Sequence, residues 1–181
     1  MPPATEPVVE GWPAWHAAAT RPAVDAAVRG LYAELDAAVA ERGPTCWQSG
    51  NCCHFRDFGH RLYVTALEVA WFRANAEPPP APAGLALPQL GRTREGDCPW
   101  QVDEACTAHG VRPLGCRVFF CQHGTEDWQQ DLYESYLSRL KALHAEHGIA
   151  YRYLEWVAGL EEAAAAGQSE VEPRLRRYGS S

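Results

Sequence analysis

The sequence predicts a mainly α-helical fold in which about four helices frame two irregular, cysteine-rich segments. Two observations predict it. Apolar residues recur every three or four positions over several long stretches, which is the period of an amphipathic helix. All seven cysteines lie outside those stretches, among prolines, glycines and asparagine that favour loops. The composition of the second cysteine segment also allows a small β-hairpin. The cysteines fall into two groups: Cys46, Cys52 and Cys53, then Cys98, Cys106, Cys116 and Cys121.

The four helices are each delimited by residues that start or stop helices. The first is expected from Pro22 to Arg42, where Gly43 and Pro44 follow. The second begins with a capping box, Thr65 followed by Glu68, and continues to about residue 76. The remaining two are expected at 125–147 and 150–166, each ending before a glycine.

The chain of 181 residues fits a single domain, since domains commonly have roughly 100–200 residues. Its hydrophobic content of 46% is close to that of ordinary globular proteins, so it can bury a core. The domain is expected over 21–167. The proline-rich residues 1–20, with the exposed-looking Trp12 and Trp15, are expected to form an irregular arm able to pack back on the domain, and 168–181 a mobile tail.

The charge balance excludes some functions. With 16 Lys and Arg against 23 Asp and Glu, the net charge is −7, whereas a protein that binds duplex DNA usually presents a basic face. No apolar stretch is long enough for a membrane span, and the N-terminus lacks the pattern of a secretion signal. The sequence therefore predicts a cytoplasmic protein with neither a nucleic-acid nor a membrane partner.

The cysteines point to a metal centre. Seven thiols cannot all pair as disulfides, and a reducing compartment disfavours disulfides. Thiolates select zinc, copper(I) or iron–sulfur clusters, and two loops that fold together can supply about four of them. The chain has no Cys-x-x-Cys pair, which disfavours a standard zinc finger. Cys98 followed by Pro99 is typical of a ferredoxin ligand. The number of thiols favours one site, with only one of the adjacent Cys52 and Cys53 as a direct ligand.

Two sequence runs carry a family resemblance. The first is CWQSGNCC, from Cys46 to Cys53. The second combines CPW from Cys98, then Cys106, then RPLGCR from Arg112 to Arg117. Together with TALE at 65–68, they resemble the YkgJ-like cysteine-cluster family over about residues 46–121. The family pattern is Cys-x-x-Cys-x-x-Cys-Cys, followed by Cys-Pro-Phe/Trp, a further Cys, and Arg-Pro-x-x-Cys-Arg.

The resemblance implies a zinc- or iron-chelating domain and an oxidoreductase or electron-transfer role. It favours an iron–sulfur cluster of the 4Fe-4S type, with zinc as the alternative, and a redox or protein partner. The chain departs from the family pattern at Ser49, which stands where the second cysteine is expected. Either position 49 is not a ligand position, or Cys121 supplies the ligand that Ser49 cannot.

Other interpretations remain open beside the metal centre. The cysteines can instead be small buried hydrophobic residues. A histidine could complete the ligand set, the candidates being His54, His109 and His123. Arg112 and Arg117 could donate to cluster sulfurs, or could form salt bridges to an acidic residue nearby, the candidates being Asp97, Asp103 and Glu104. A catalytic thiol such as Cys121 would compete with metal binding. Common nucleotide-, metalloprotease- and hydrolase-type motifs are absent from the sequence, which leaves enzymatic activity open.

Overall fold

The computed structural model describes residues 10–44, 53, 55, 59–78, 98–102, 105–120 and 122–176, with side chains as far as 167. Within these ranges the chain forms six α-helices and four short strands, which confirms the predicted mainly helical class. The helices are α1 (Trp12–Ala19), α2 (Pro22–Arg42), α3 (Ala66–Asn75), α4 (Leu114–Val118), α5 (Glu126–Glu146) and α6 (Trp156–Arg176). The strands are β1 (Tyr63–Thr65), β2 (Gln101–Val102), β3 (Ala105–Cys106) and β4 (Tyr153–Glu155).

Helix α1 replaces part of the irregular arm expected at 1–20, so that prediction is wrong for residues 12–19. A proline in the first turn suits a helix start, because its missing N–H has no helical partner there. Trp15, expected to be exposed, is 3% exposed, and its Nε1–H donates to the carbonyl of Ala150 at 3.1 Å. The apolar side of α1 packs on α3 and α6, which gives this segment a buried face.

Helices α2 and α3 follow the sequence prediction closely. Gly43 ends α2 with a φ of 62°, a left-handed conformation that glycine adopts without strain. Thr65 caps α3 as expected: its hydroxyl accepts from the N–H of Glu68 at 3.2 Å, and the Glu68 carboxylate accepts from the N–H of Thr65 at 2.8 Å. Nearly all of α3 is buried, so it forms the centre of the core.

Two small antiparallel sheets complete the architecture. Strand β1 pairs with β4, with Val64 opposite Leu154, and this pairing occupies residues expected to begin the last helix. Helix α6 therefore starts at Trp156, later than predicted. It continues through Gly167 to Arg176, so residues 168–176 of the expected tail are helical. Strands β2 and β3 form the hairpin allowed for in the second cysteine segment.

The arrangement places α4, which carries Cys116, beside the core helices. Helix α4 packs against α2 and α5, while α3 lies against α1, α6 and β1. Among the helices in the described ranges, none is long and apolar enough to cross a membrane.

Candidate metal centre

The two cysteine segments meet through their backbones. The N–H of Cys98 donates to the carbonyl oxygen of Cys53 at 3.2 Å, although the two residues are far apart in sequence. Both side chains are buried, at 6% exposure for Cys53 and 7% for Cys98. The fold thus brings one cysteine from each predicted ligand segment into direct contact.

The hairpin β2–β3 places a third cysteine next to this contact. The N–H of Gln101 donates to the carbonyl of Cys98 at 3.0 Å, and Gln101 is the cross-strand partner of Cys106. Trp100, directly before β2, attaches this segment to the residues after α3, because its indole donates to the carbonyl of Glu77 at 2.8 Å. The same ring also meets the Phe72 ring edge-on, with the centroids 4.7 Å apart.

Cys116 lies in α4 and is half-buried. The start of this helix is held by the buried carboxylate of Glu68, whose Oε1 accepts from the N–H of Leu114 at 2.9 Å. The same oxygen accepts from the Tyr32 hydroxyl at 2.9 Å, and Oε2 accepts from Thr65. One carboxylate therefore connects α2, α3 and α4, and it sets where Cys116 stands relative to the core.

Burial has the largest effect on the pKa values of Glu68 and Tyr32. Removal from water raises the pKa of Glu68, and the hydrogen bonds donated to its carboxylate act in the opposite direction. Burial also raises the pKa of Tyr32 well above its usual value, and the negative charge of Glu68 adds to that effect. Tyr32 consequently keeps its proton and remains a donor to Glu68.

Arg117 follows Cys116 directly and is 4% exposed. Its Nη1 donates to the Asp36 carboxylate at 2.6 Å, its Nε to the carbonyl of Arg112 at 2.7 Å, and its Nη2 to the carbonyl of Gly110 at 2.9 Å. The guanidinium also lies 4.4 Å from the centre of the Tyr32 ring. Arg117 thereby closes the loop before α4 and attaches it to α2.

These contacts bear on the two roles predicted for the arginines. A salt bridge was one expectation: the described acidic partner of Arg117 is Asp36 on α2, whereas the candidate partners Asp97, Asp103 and Glu104 lie outside the described residues. Arg112 is half-buried, and its Nε donates to the carbonyl of His109 at 3.1 Å. The described contacts of both arginines therefore organise the backbone around α4.

The complete ligand set falls only partly within the described residues. Cys53, Cys98, Cys106 and Cys116 are described, whereas Cys46, Cys52 and Cys121, as well as His54, lie outside the described ranges. Among the side chains that the structure describes, no three His, Cys, Asp or Glu residues come close enough together to hold a metal ion. A site confined to the four described cysteines is therefore not preformed.

The histidines proposed as additional ligands lie in different surroundings. The His123 side chain is 99% exposed, with Nδ1 3.8 Å from the Glu126 carboxylate. His109 lies on the surface beside Arg112, and partial burial together with the positive charges of Arg112 and Arg117 lowers its pKa. A lowered pKa keeps the imidazole neutral, which is the form that binds metals.

Sequence reasoning missed Tyr32 and Asp36 as supports of this region. They lie four residues apart on α2, which places them on one helical face and allows both to meet Arg117. The capping box identified Glu68 as a helix-start residue, but not as an acceptor for Tyr32 and Leu114. A tyrosine and an aspartate on an otherwise apolar helical face are the signal that could have drawn attention to them.

Comparisons with known proteins add no assignment. The chain matches no known family, no curated protein and no solved structure.

Proposed function

We propose that the chain holds an iron–sulfur cluster between its two cysteine segments. The observation that carries the proposal is the backbone hydrogen bond from Cys98 to Cys53, because it brings together segments that are separate in sequence. Soft thiolate donors from two adjoining loops fit such a cluster, and the 4Fe-4S type needs four of them. The candidate ligands are Cys46, Cys52, Cys53, Cys98, Cys106, Cys116 and Cys121.

The described residues contribute a scaffold to this site. Glu68 fixes the start of α4, and Arg117 joins the loop before α4 to Asp36. A positive guanidinium beside the centre also offsets part of the negative charge of a thiolate-rich site. When bound, a cluster would supply one-electron chemistry, whose potential depends on nearby hydrogen bonds, charges and exposure to solvent.

The biological role that we propose is electron transfer or service in an oxidoreductase system, with a redox or protein partner. The resemblance of both cysteine runs to the YkgJ-like family supports it. We place the protein in the cytoplasm, since a reducing compartment keeps the thiols available as ligands.

Anaerobic purification followed by visible absorption tests this proposal. We expect a brown protein with sulfur-to-iron charge-transfer bands. Replacing Cys116→Ser should abolish those bands, whereas the control Ser49→Cys, which adds the thiol of the family pattern, should keep them. Full cluster occupancy in Cys116→Ser would exclude Cys116 as a required ligand.

Zinc is the second candidate, and the shortness of the surrounding elements favours it. The second cysteine segment contains strands of two residues and a helix of five, and elements of this size have little core of their own. A structural metal stabilises such loops by binding free energy. In this case the protein would be a non-enzymatic adaptor, colourless, with about one zinc ion per chain bound in a four-coordinate site.

A further inference from the structure

A cavity of about 480 Å³ opens beside Cys116. Its walls come from the loop before β1, from β1 and β4, and from α4 and the first turns of α5. The side chains that define it are Phe55, Tyr63, Cys116, Phe119, Tyr133 and Tyr153. This volume lies within the range of roughly 300–1,000 Å³ that is usual for small-molecule sites.

Exposed aromatic side chains are concentrated at this cavity. Four large hydrophobic side chains in the described ranges are strongly exposed: Tyr63 at 43%, Phe119 at 41%, Tyr151 at 42% and Tyr153 at 41%. Three of the four line the cavity. Clustered apolar exposure of this kind marks a binding surface, because scattered single residues are the ordinary case.

The aromatic walls are held in place by contacts with one another. Tyr63 and Tyr153 are stacked with centroids 5.6 Å apart, and Phe119 and Tyr133 lie 5.2 Å apart. The hydroxyls of Tyr133 and Tyr153 are hydrogen-bonded at 2.6 Å. Flat, ordered walls of this type suit a planar ring better than a flexible aliphatic chain.

The charged residues around the cavity indicate the charge of the ligand. Among the described residues, no Asp or Glu lines it, although the chain as a whole carries a net charge of −7. Arg61 lies at the cavity and is exposed, and it makes no ion pair with any residue that the structure describes. By contrast, Arg29, Arg117, Arg139 and Arg152 each pair with a described carboxylate. A guanidinium at an aromatic site favours an anionic group such as a carboxylate.

We propose that this cavity binds a planar aromatic carboxylate, with the ring among the tyrosines and Phe119 and the carboxylate towards Arg61. Cys116 lines the same cavity, so the ligand would lie beside the metal centre. That adjacency rests on the proposed function, whereas the binding itself depends only on the aromatic walls and Arg61.

Calorimetric titration of the purified full chain with 2-naphthoate tests the proposal. We expect saturable binding with one site per chain. Phe119→Ala or Tyr153→Ala should weaken the affinity roughly tenfold, which corresponds to about 1.4 kcal/mol of binding free energy. Arg61→Gln should weaken the binding of 2-naphthoate roughly tenfold, since a charged hydrogen bond is lost, and should leave the binding of neutral 2-naphthol unchanged. Arg139→Gln is the matched control, because it removes the same charge from a site outside the cavity, and it should bind as the parent does.

The outcomes separate this proposal from the proposed function. Absence of 2-naphthoate binding, or equal binding by Arg61→Gln and the parent for both ligands, would overturn the aromatic-carboxylate site whatever the metal content. Binding as expected by an anaerobically purified protein that holds neither iron nor zinc would support the site and refute the metal centre. Circular dichroism of each variant ensures that a loss of binding is scored only for folded protein.

Discussion

The carboxylate of Glu68 and the backbone N–H of Leu114 are hydrogen-bonded at 2.9 Å, and this bond joins the buried centre of the fold to the helix that carries Cys116. The acceptor is 2% exposed and is also engaged by Tyr32 and Thr65. A buried acceptor with three donors is costly to replace, because each donor would lose its partner away from water. The position of Cys116 therefore depends on a residue outside both cysteine segments.

We predict that Glu68→Gln lowers the free energy of unfolding by about 1–3 kcal/mol, the usual cost of an unsatisfied buried polar group. Glutamine keeps one acceptor oxygen but presents an NH₂ group to at least one of the three donors. Urea denaturation measures the change. The control Glu77→Gln, at an exposed position after α3, should change stability by less than about 0.5 kcal/mol. Equal stability of Glu68→Gln and the parent would show that the three bonds are dispensable.

Removing the charge of Asp36 should lower the stability of the fold less than replacing the guanidinium of Arg117. Arg117→Lys removes donors from the carbonyls of Arg112 and Gly110, and we expect a cost of about 2–3 kcal/mol in chemical denaturation. Asp36→Asn should cost less than about 1 kcal/mol, because the Asp36 side chain is 51% exposed.

The same variants show whether Arg117 positions α4 or donates hydrogen bonds to the cluster itself. If Arg117 acts by positioning α4, metal content should fall in proportion to the folded fraction in Arg117→Lys. If it donates mainly to cluster sulfurs, the visible spectrum should change while stability does not, and the positioning role would be wrong.

Gly115 lies close to the side chain of Leu62. A β-carbon at this position would lie 2.5 Å from Leu62 Cδ1, so Gly115→Ala forces that side chain to move. We expect a loss of at most about 1 kcal/mol, because the clashing atom is the terminal methyl of a side chain that can change rotamer. In a Leu62→Ala background the same substitution should be neutral or slightly stabilising, since alanine favours a helix by up to about 1 kcal/mol over glycine. Gly110→Ala, where no neighbouring atom lies within 4 Å, is the control. Additive effects of the two substitutions would contradict a contact between these positions.

The buried His144 should make the stability of the fold depend on pH. The ring is 1% exposed, and its Nδ1 lies 3.2 Å from the carbonyl of Ala150. Burial lowers the pKa of His144, while hydrogen bonds with the backbone near Ile149 and Ala150 partly oppose that shift. The unfolded chain therefore binds the proton more readily than the folded chain. Its contribution to stability is present above the unfolded pKa of about 6.5 and is lost as the pH falls below it.

Thermal or urea unfolding between pH 8 and pH 5 measures this effect. The parent should lose stability relative to His144→Leu as the pH falls, by at most about 1.4 kcal/mol per pH unit for one proton. An identical pH dependence of the two proteins would remove His144 as the cause.

Local signals predicted much of the fold. The periodic apolar residues and Gly43 located α2, and the capping box located α3, because both signals act over a few residues. Helix α1 was missed because the prolines at and before its start indicate irregular structure, whereas burial of Trp15 stabilises the helix. The pairing of β1 with β4 was missed because each strand has only three residues, too few for an alternating pattern.

For the candidate site, the sequence indicated which segments to compare but not the contacts that hold them. Cysteine grouping indicated which segments should meet, and the contact of Cys98 with Cys53 agrees with that expectation. The partnership of Arg117 with Asp36 joins residues on different helices. No local pattern encodes such a pair, since it depends on how α2 and α4 pack.

Determination of iron, acid-labile sulfide and zinc in the anaerobically purified full chain, with Cys116→Ser in parallel, tests the central claim most directly. We predict iron and sulfide in equal amounts, about four of each per chain for a 4Fe-4S cluster, and loss of both in Cys116→Ser. Stoichiometric zinc without iron would contradict the cluster and favour the structural site. Absence of both metals from the folded protein would contradict a metal centre altogether.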